Sequence, residues 1–218
     1  MKIIKQDDKE YPTRLLRIYD PPKQLYVLGD SDILNDFGIA IVGSRNCTEY
    51  GRNVAKSIAY NLSKYGINII SGMAKGIDGI AHMGCIMGEG KTIAVLGSGF
   101  NHIYPKENIE LFKKIIKSGG AVISEYEPET MPDRKNFPKR NRIVSGMSSG
   151  VVIVEAAERS GSLITAELAL NEGKDVFAVP GNITSNASRG TNELIKDGAK
   201  IVTNIFDILE EYEYYHNT

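Results

Sequence analysis

The sequence predicts an α/β protein: a doubly wound, mostly parallel sheet with helices on both faces. Three observations carry this. Short apolar runs alternate along the chain with amphipathic ones, the runs are apolar almost without interruption, and glycines collect just beyond their ends. The length of 218 residues suits one domain with room for a small appendage, at the usual ~100–200 residues per domain. A hydrophobic fraction of 42% and a charged fraction of 24% exclude disordered, collagenous and coiled-coil chains.

In chain order, residues 1–35 are charged and then turn-rich (YDPPKQLYVLGD), and read as an appendage leading into the sheet. Residues 36–214 form the Rossmann-like domain and 215–218 a tail. GIAIVGS from Gly38 is the first buried strand of that domain. TEYGRNVAKSIAYNLSKYG follows as a helix, with Val54, Ile58 and Leu62 at i+4 spacing and Thr48 as its N-cap. INIISG, KTIAVLGSG, GAVISE, GVVIVEA, KDVFAVPG and AKIVT complete seven strand candidates. ENIELFKKIIKSG and SLITAELALNEG, the latter with Leu163, Leu168 and Ala169, are helices between them, and a last helix starts near Asn204. Strands that alternate with helices in this way give the doubly wound arrangement, in which ligands bind beyond the carboxyl ends of the strands.

Composition narrows the chemistry. No run of about 18 apolar residues is present and the amino terminus is charged, so a cytoplasmic protein without a membrane partner is expected. Cys47 and Cys85 lack CxxC spacing, and His82, His102 and His216 form no ligand set, so neither a metal nor another cofactor is expected. Asp78 and His82, at i,i+4, suit an ion pair or a hydrogen bond on one helix face. Twenty-six basic residues against 27 acidic ones give a net charge of −1, but the charges segregate. DRKNFPKRNR, from Asp133 to Arg142, holds five basic residues, one acid and Phe137, whereas DILEEYEYYHNT carries four acids and no Lys or Arg. The field at a site follows local charge within a Debye length of ~8 Å, so a positive groove is compatible with a neutral chain.

Several motifs fail on context. Gly97-x-Gly99 has His102 where a dinucleotide fingerprint needs its third glycine, and Gly90-Lys91-Thr92 precedes a strand and has Cys85 at the first P-loop glycine position. Gly146-Met147-Ser148-Ser149-Gly150 matches GxSxG but also precedes a strand; a helix end and turn explain it. Glu155, at a strand end, suits a general base or an acceptor for neighbouring amides, and no nucleophile has a base beside it. NFPKRNR, although a solvated basic loop is its plainest account, suits single-stranded nucleic acid: cations track phosphates and the ring stacks on an unpaired base.

Seven ordered blocks then point to a family. YPTRLLRIYDPPKQLYVLGD, IAIVGSRNCTEYG, SGMAKGIDGIAH, AVLGSGFNHIYPKEN, ISEYEPETMPDRKNFPKRNRIVSGMS, VVIVEAAERSGSLITAELALNEGKDVFAVPG and RGTNELIKDGA resemble the DprA/Smf DNA-processing family from about Tyr11 to Thr203. The resemblance implies an extended Rossmann fold and binding of single-stranded DNA without a catalytic reaction. It also implies a homodimer, protection of incoming strands in natural transformation, and loading of the RecA recombinase. By motif position, Arg45 of Gly43-Ser44-Arg45, Lys75, Phe137, Arg140, Asn141 and Arg142 line the DNA pocket, and the turns at Gly43, Gly72 and Gly99 admit phosphates. The dimer is expected through 176–208, whose apolar positions include Leu194, Ile195, Ile205 and Phe206, with Leu209 just beyond. Many family members carry an N-terminal helical domain and a C-terminal winged helix; this chain resembles the core alone. The alternative is a nucleotide-cleaving enzyme of the LOG phosphoribohydrolase type, for which Gly190-Thr191-Asn192-Glu193 is the nearest counterpart of a PGGxGTxxE motif that follows Pro180-Gly181 only after an interruption.

Overall fold

In a computed structural model of the chain, residues 1–212 are described. Among them, nine strands form one sheet: β1 (Lys2–Lys5), β2 (Gln24–Gly29), β3 (Gly38–Val42), β4 (Asn68–Ser71), β5 (Thr92–Leu96), β6 (Ala121–Ser124), β7 (Gly150–Ile153), β8 (Asp175–Ala178) and β9 (Lys200–Ile201). Their order is β1-β2-β6-β5-β4-β3-β7-β8-β9. Strands β3 to β9 all pair in parallel, and β1 and β2 are added antiparallel beyond β6. The seven strands read from Gly38 onward are therefore present. The first 35 residues supply two further strands to the same sheet, and residues 215–218 lie outside the described residues.

The helices are α1 (Glu49–Lys64), α2 (Ile77–Met87), α3 (Ile109–Lys117), α4 (Asn136–Met147), α5 (Gly161–Asn171), α6 (Arg189–Lys196) and the single turn α7 (Phe206–Leu209). Alternation along each buried strand divides the core. Ile39 and Ile41 of β3 face α1 and α2, packing on Ala55, Ile58, Ala81 and Cys85. Ala40 and Val42 face the other way, onto Ile143, Val144 and Met147 of α4 and Ala166 and Ala169 of α5. Such fully covered strands give ~1.5–3 kcal/mol per buried Val, Leu or Ile, which is why they are apolar at most positions, with Asn68, Ser71, Thr92 and Ser124 the polar residues buried at strand ends. Leu111 and Ile115 of α3 cover the end of the sheet toward β6, against Ala94, Leu96 and Val122.

This winding fixes where a ligand fits. The helix after β3 lies on one face of the sheet and the helix after β7 on the other, although β3 and β7 are neighbours. Their connections diverge and leave a crevice at the carboxyl edge, the topological switch point of a doubly wound sheet. No helix among the described residues is long and apolar enough to cross a membrane.

Candidate nucleic-acid interface

The crevice is a cavity of about 750 Å³, bounded by Gly43 to Asn46 after β3, Ala157 and Arg159 to Ser162 after β7, and Phe137, Arg140 and Asn141 of α4. A lobe of about 660 Å³ continues past Gly72, Lys75, Gly97 and Lys106. Each wall has a local cause. Thr48 caps α1 by accepting from the Gly51 amide at 3.2 Å, and its own amide donates to Glu155 Oε2 at 2.8 Å. Ser44 N donates to Glu155 O at 2.8 Å. Glu155, 2% exposed, is thus an amide acceptor that fixes the Arg45 loop, and it does not line the cavity.

The basic segment is a helix, not a loop, and this decides which cations reach the crevice. Pro138 stands third in α4, inside the first turn, where its missing N–H has no intrahelical partner to lose. Phe137, Arg140 and Asn141 at i, i+3 and i+4 share one helical face. Arg142 is two residues from Arg140, about 200° round a helix of 3.6 residues per turn, and therefore points away. It pairs with Glu125 at 2.7 Å and Asp20 at 3.1 Å, and Lys139, three residues earlier, also meets Glu125 at 3.5 Å. Arg142 does not line the cavity.

Arg140 reaches the cavity but is not a solvated phosphate hook. It is 4% exposed, and Nη1 donates to the carbonyls of Gly72 and Val95. Burial lowers its pKa, opposed by the Asp78 carboxylate. Asp78 is itself buried, its pKa raised by desolvation and drawn back by Arg140, and its Oδ2 accepts the Gly72 amide at 3.2 Å. Together they hold the turn after β4, in which Met73 takes a left-handed φ of 53° and Lys75 projects into solvent. His82 turns instead to Thr92, with Nδ1 2.6 Å from Oγ1. The hydrogen bond available to each partner therefore differs from the Asp78–His82 pairing expected of an i,i+4 spacing.

Phe137 is half-buried over Gly97, where a Cβ would come within 2.8 Å of the ring. Its ring lies 5.4 Å from that of Tyr104, and the Arg45 guanidinium carbon is 5.4 Å from its centroid, a cation–π contact. Arg45, Lys75, Lys106, Arg134 and Arg159 are exposed around it, and none has a carboxylate partner among the described residues. The N-terminus of α5 adds its dipole: Ser160 accepts from Ser162 N, and Asn141 Nδ2 donates to Gly161 O at 3.3 Å. An aromatic face ringed by unpaired cations and a helix N-terminus has the chemistry to take a base and its phosphates together.

The structure thus brings together Gly43, Ser44, Arg45, Gly72, Lys75, Phe137, Arg140 and Asn141, and leaves out Gly99 and Arg142. Gly99 serves packing: its amide donates to Thr130 O at 2.8 Å, and a Cβ there would meet Glu127 O at 2.1 Å. The amides of Ser44, Gly72 and Gly99 are all engaged within the protein, so the turns at Ser44 and Gly72 shape the cavity without offering those N–H groups to a phosphate, and Gly99 lies outside it. Sequence reasoning missed Tyr104, Lys106, Arg134, Arg159 and the start of α5; Arg134 stood in the basic segment, whereas the others had no signal before the topology was known. Ser148 of the GxSxG string ends α4, fully buried, its hydroxyl donating to Ser145 O. Glu193 lies on exposed α6 paired with Lys196 at 2.8 Å, away from the cavity. Among the described residues no cluster suits a metal ion.

The chain matches the family described as DNA recombination-mediator protein A over residues 2–213. It is 46% identical to DNA processing protein DprA of Bacillus subtilis over 204 residues, 93% of this chain and 68% of that protein. It is 44% identical to protein Smf of Escherichia coli over 212 residues, 97% of this chain but only 57% of that one. DNA processing protein A of Streptococcus pneumoniae superposes with a TM-score of 0.91 at 43% identity, covering 96% of this chain and 74% of that one. The Helicobacter pylori protein, whose structure concerns its single-stranded DNA binding mode, gives 0.87 at 33% identity, covering 97% and 96%. The molybdenum cofactor binding protein of Rippkaea orientalis, at 17% identity and a TM-score of 0.55, shares the fold. With matches of this extent, the chain belongs to the DNA recombination-mediator protein A family, the DprA/Smf DNA-processing proteins.

Proposed function

We propose that the chain binds single-stranded DNA at the carboxyl edge of its sheet, as a recombination mediator without a chemical step of its own. The observation that carries this is the half-buried Phe137 ring, open to the crevice and surrounded by Arg45, Lys75, Lys106, Arg134 and Arg159. Unpaired bases expose the faces that such a ring stacks on, and a duplex hides them. Titration of a labelled oligonucleotide and of its duplex at several salt concentrations tests it. Tighter binding of the single strand, weakening with salt, is expected; equal affinity for the duplex, or release of free base from nucleoside monophosphates, overturns it.

The partners extend this proposal. Ile201 at the β9 edge and Phe206 of α7 are each 49% exposed, and support a homodimer formed there. Light scattering of the DNA-bound protein is expected to give two chains per particle. The family resemblance supports loading of the RecA recombinase onto the covered strand, in the cytoplasm; faster RecA nucleation on protein-coated DNA is the corresponding measurement.

A further inference from the structure

Cations do not stop at the edge of the Phe137 cavity. Beyond the rim made by Arg45, Asn46 and Lys75, a groove of about 710 Å³ runs between α1 and α2, and these three residues line both spaces. Arg52 and Lys56 stand along it, four residues and therefore one turn apart on α1, both exposed and neither with a carboxylate partner among the described residues. No Asp or Glu lines the groove. Its floor is apolar, from Ile80, Met83 and Met87 of α2 and Leu111 of α3. Behind the groove the two helices close on each other: a Cβ on Gly84 would come within 2.6 Å of Lys56 O.

We propose that this groove carries the continuation of the DNA single strand, an inference that rests on the reading of the cavity above. Arg52 and Lys56 meet the phosphates that follow the nucleotide held at Phe137, and the methionine-bearing floor meets unpaired bases, which are soft, flat and apolar on their faces. A duplex presents no base face to such a floor. The chain then covers two connected stretches of one strand, with Arg45 and Lys75 at the turn between them.

The test compares oligothymidylates of ~5 and ~15 nucleotides, within the range of ~4–16 that single-strand sites occupy. Replacing Arg52 and Lys56 together by Ala keeps strong helix formers on an exposed face. For the long strand, affinity is expected to fall and the log–log salt slope to become shallower by about 1.4, two contacts at ~0.7 each, while the short strand binds as before. Loss of the same size for both lengths, or no loss for the long one, overturns the groove. Cys47 gives a readout without mutation. It is half-buried in the groove, whereas Cys85 is fully buried, so alkylation by N-ethylmaleimide reports on it alone. The long strand is expected to slow that reaction and the short one to leave it unchanged; equal rates with both overturn the proposal. Should the parent protein retain neither strand, the cavity reading itself falls, and the groove with it.

Discussion

A side chain at position 72 and the guanidinium of Arg140 claim the same space: a Cβ built on Gly72 would lie 2.5 Å from Arg140 Cζ. The arginine that reads from sequence as a phosphate hook is the pin that fastens the β4 turn to β5, through the carbonyls of Gly72 and Val95. Arg140→Ala leaves two buried acceptors unpaired at ~1–3 kcal/mol each, so a loss of roughly 2–6 kcal/mol is expected in urea unfolding. Gly72→Ala is expected to cost ~1–3 kcal/mol by overpacking. Arg140→Ala of parental stability would show that the pin carries no load.

Phe137 and Arg45 separate stacking from charge. Phe137→Ala is expected to weaken single-strand binding by ~1–3 kcal/mol and to leave the salt slope in place, since no counterion-releasing contact is lost. Arg45→Ala is expected to make that slope shallower by ~0.7, and Arg134→Ala and Arg159→Ala likewise. Anisotropy titrations from low to moderate salt distinguish the two behaviours. Thermal melting checks that all four variants fold.

Arg142 belongs to the opposite face of α4, and its loss is expected to act on stability alone. The side chains of Arg142 and Glu125 are 10% and 9% exposed, so Arg142→Ala strands a carboxylate in a dry site, with only Lys139 left at 3.5 Å. A destabilisation of ~3 kcal/mol follows from breaking such a pair. In folded protein the DNA salt slope is expected to match the parent's. A shallower slope for Arg142→Ala would place a phosphate on this face.

Much of this was legible before the fold was known. The strands from β3 to β8 are mostly apolar runs of the right length, and Thr48 sits where an N-cap belongs, because burial on both faces and unsatisfied helix amides impose strict local patterns. β1 and β2 were hidden: β1 is a mostly exposed, charged edge strand, and the short buried run of β2 lies in a turn-rich segment. Only the end of α4 was legible, at Gly146 to Gly150; its start was hidden because Pro138 and a run of cations resemble a loop, so residues that a helix divides between two faces read as one cluster. The burial of Arg140 has no sequence signal, since it depends on carbonyls from β4 and β5 that only the sheet brings together.

His82 supplies a pH dependence. Burial, reinforced by the charge of Arg140, pushes its pKa down to about 3, against an unfolded value near 6.5. Between these values the unfolded chain binds a proton that the folded one refuses, so the contribution of neutral His82 is complete above pH ~6.5 and is lost as pH falls toward 3. His82→Asn places an amide where Nδ1 meets Thr92 but carries no titratable group. The parent's stability advantage over His82→Asn is expected to shrink on acidification from pH 7 to 4. The raised pKa of Asp78 acts in the opposite sense but is common to both proteins, so a constant difference would contradict the assignment.

The division of α4 into two faces has a consequence for genetics. A selection for cells that have lost the DNA-binding phenotype will return substitutions at Phe137, Arg140 and Arg142 alike, as if a single recognition element had been struck. Soluble yield will sort them: Phe137 alleles accumulate as intact but idle protein, whereas Arg140 and Arg142 alleles are cleared by proteolysis before they meet DNA. A suppressor that raises global stability at a distant position will rescue the second group and leave the first unchanged.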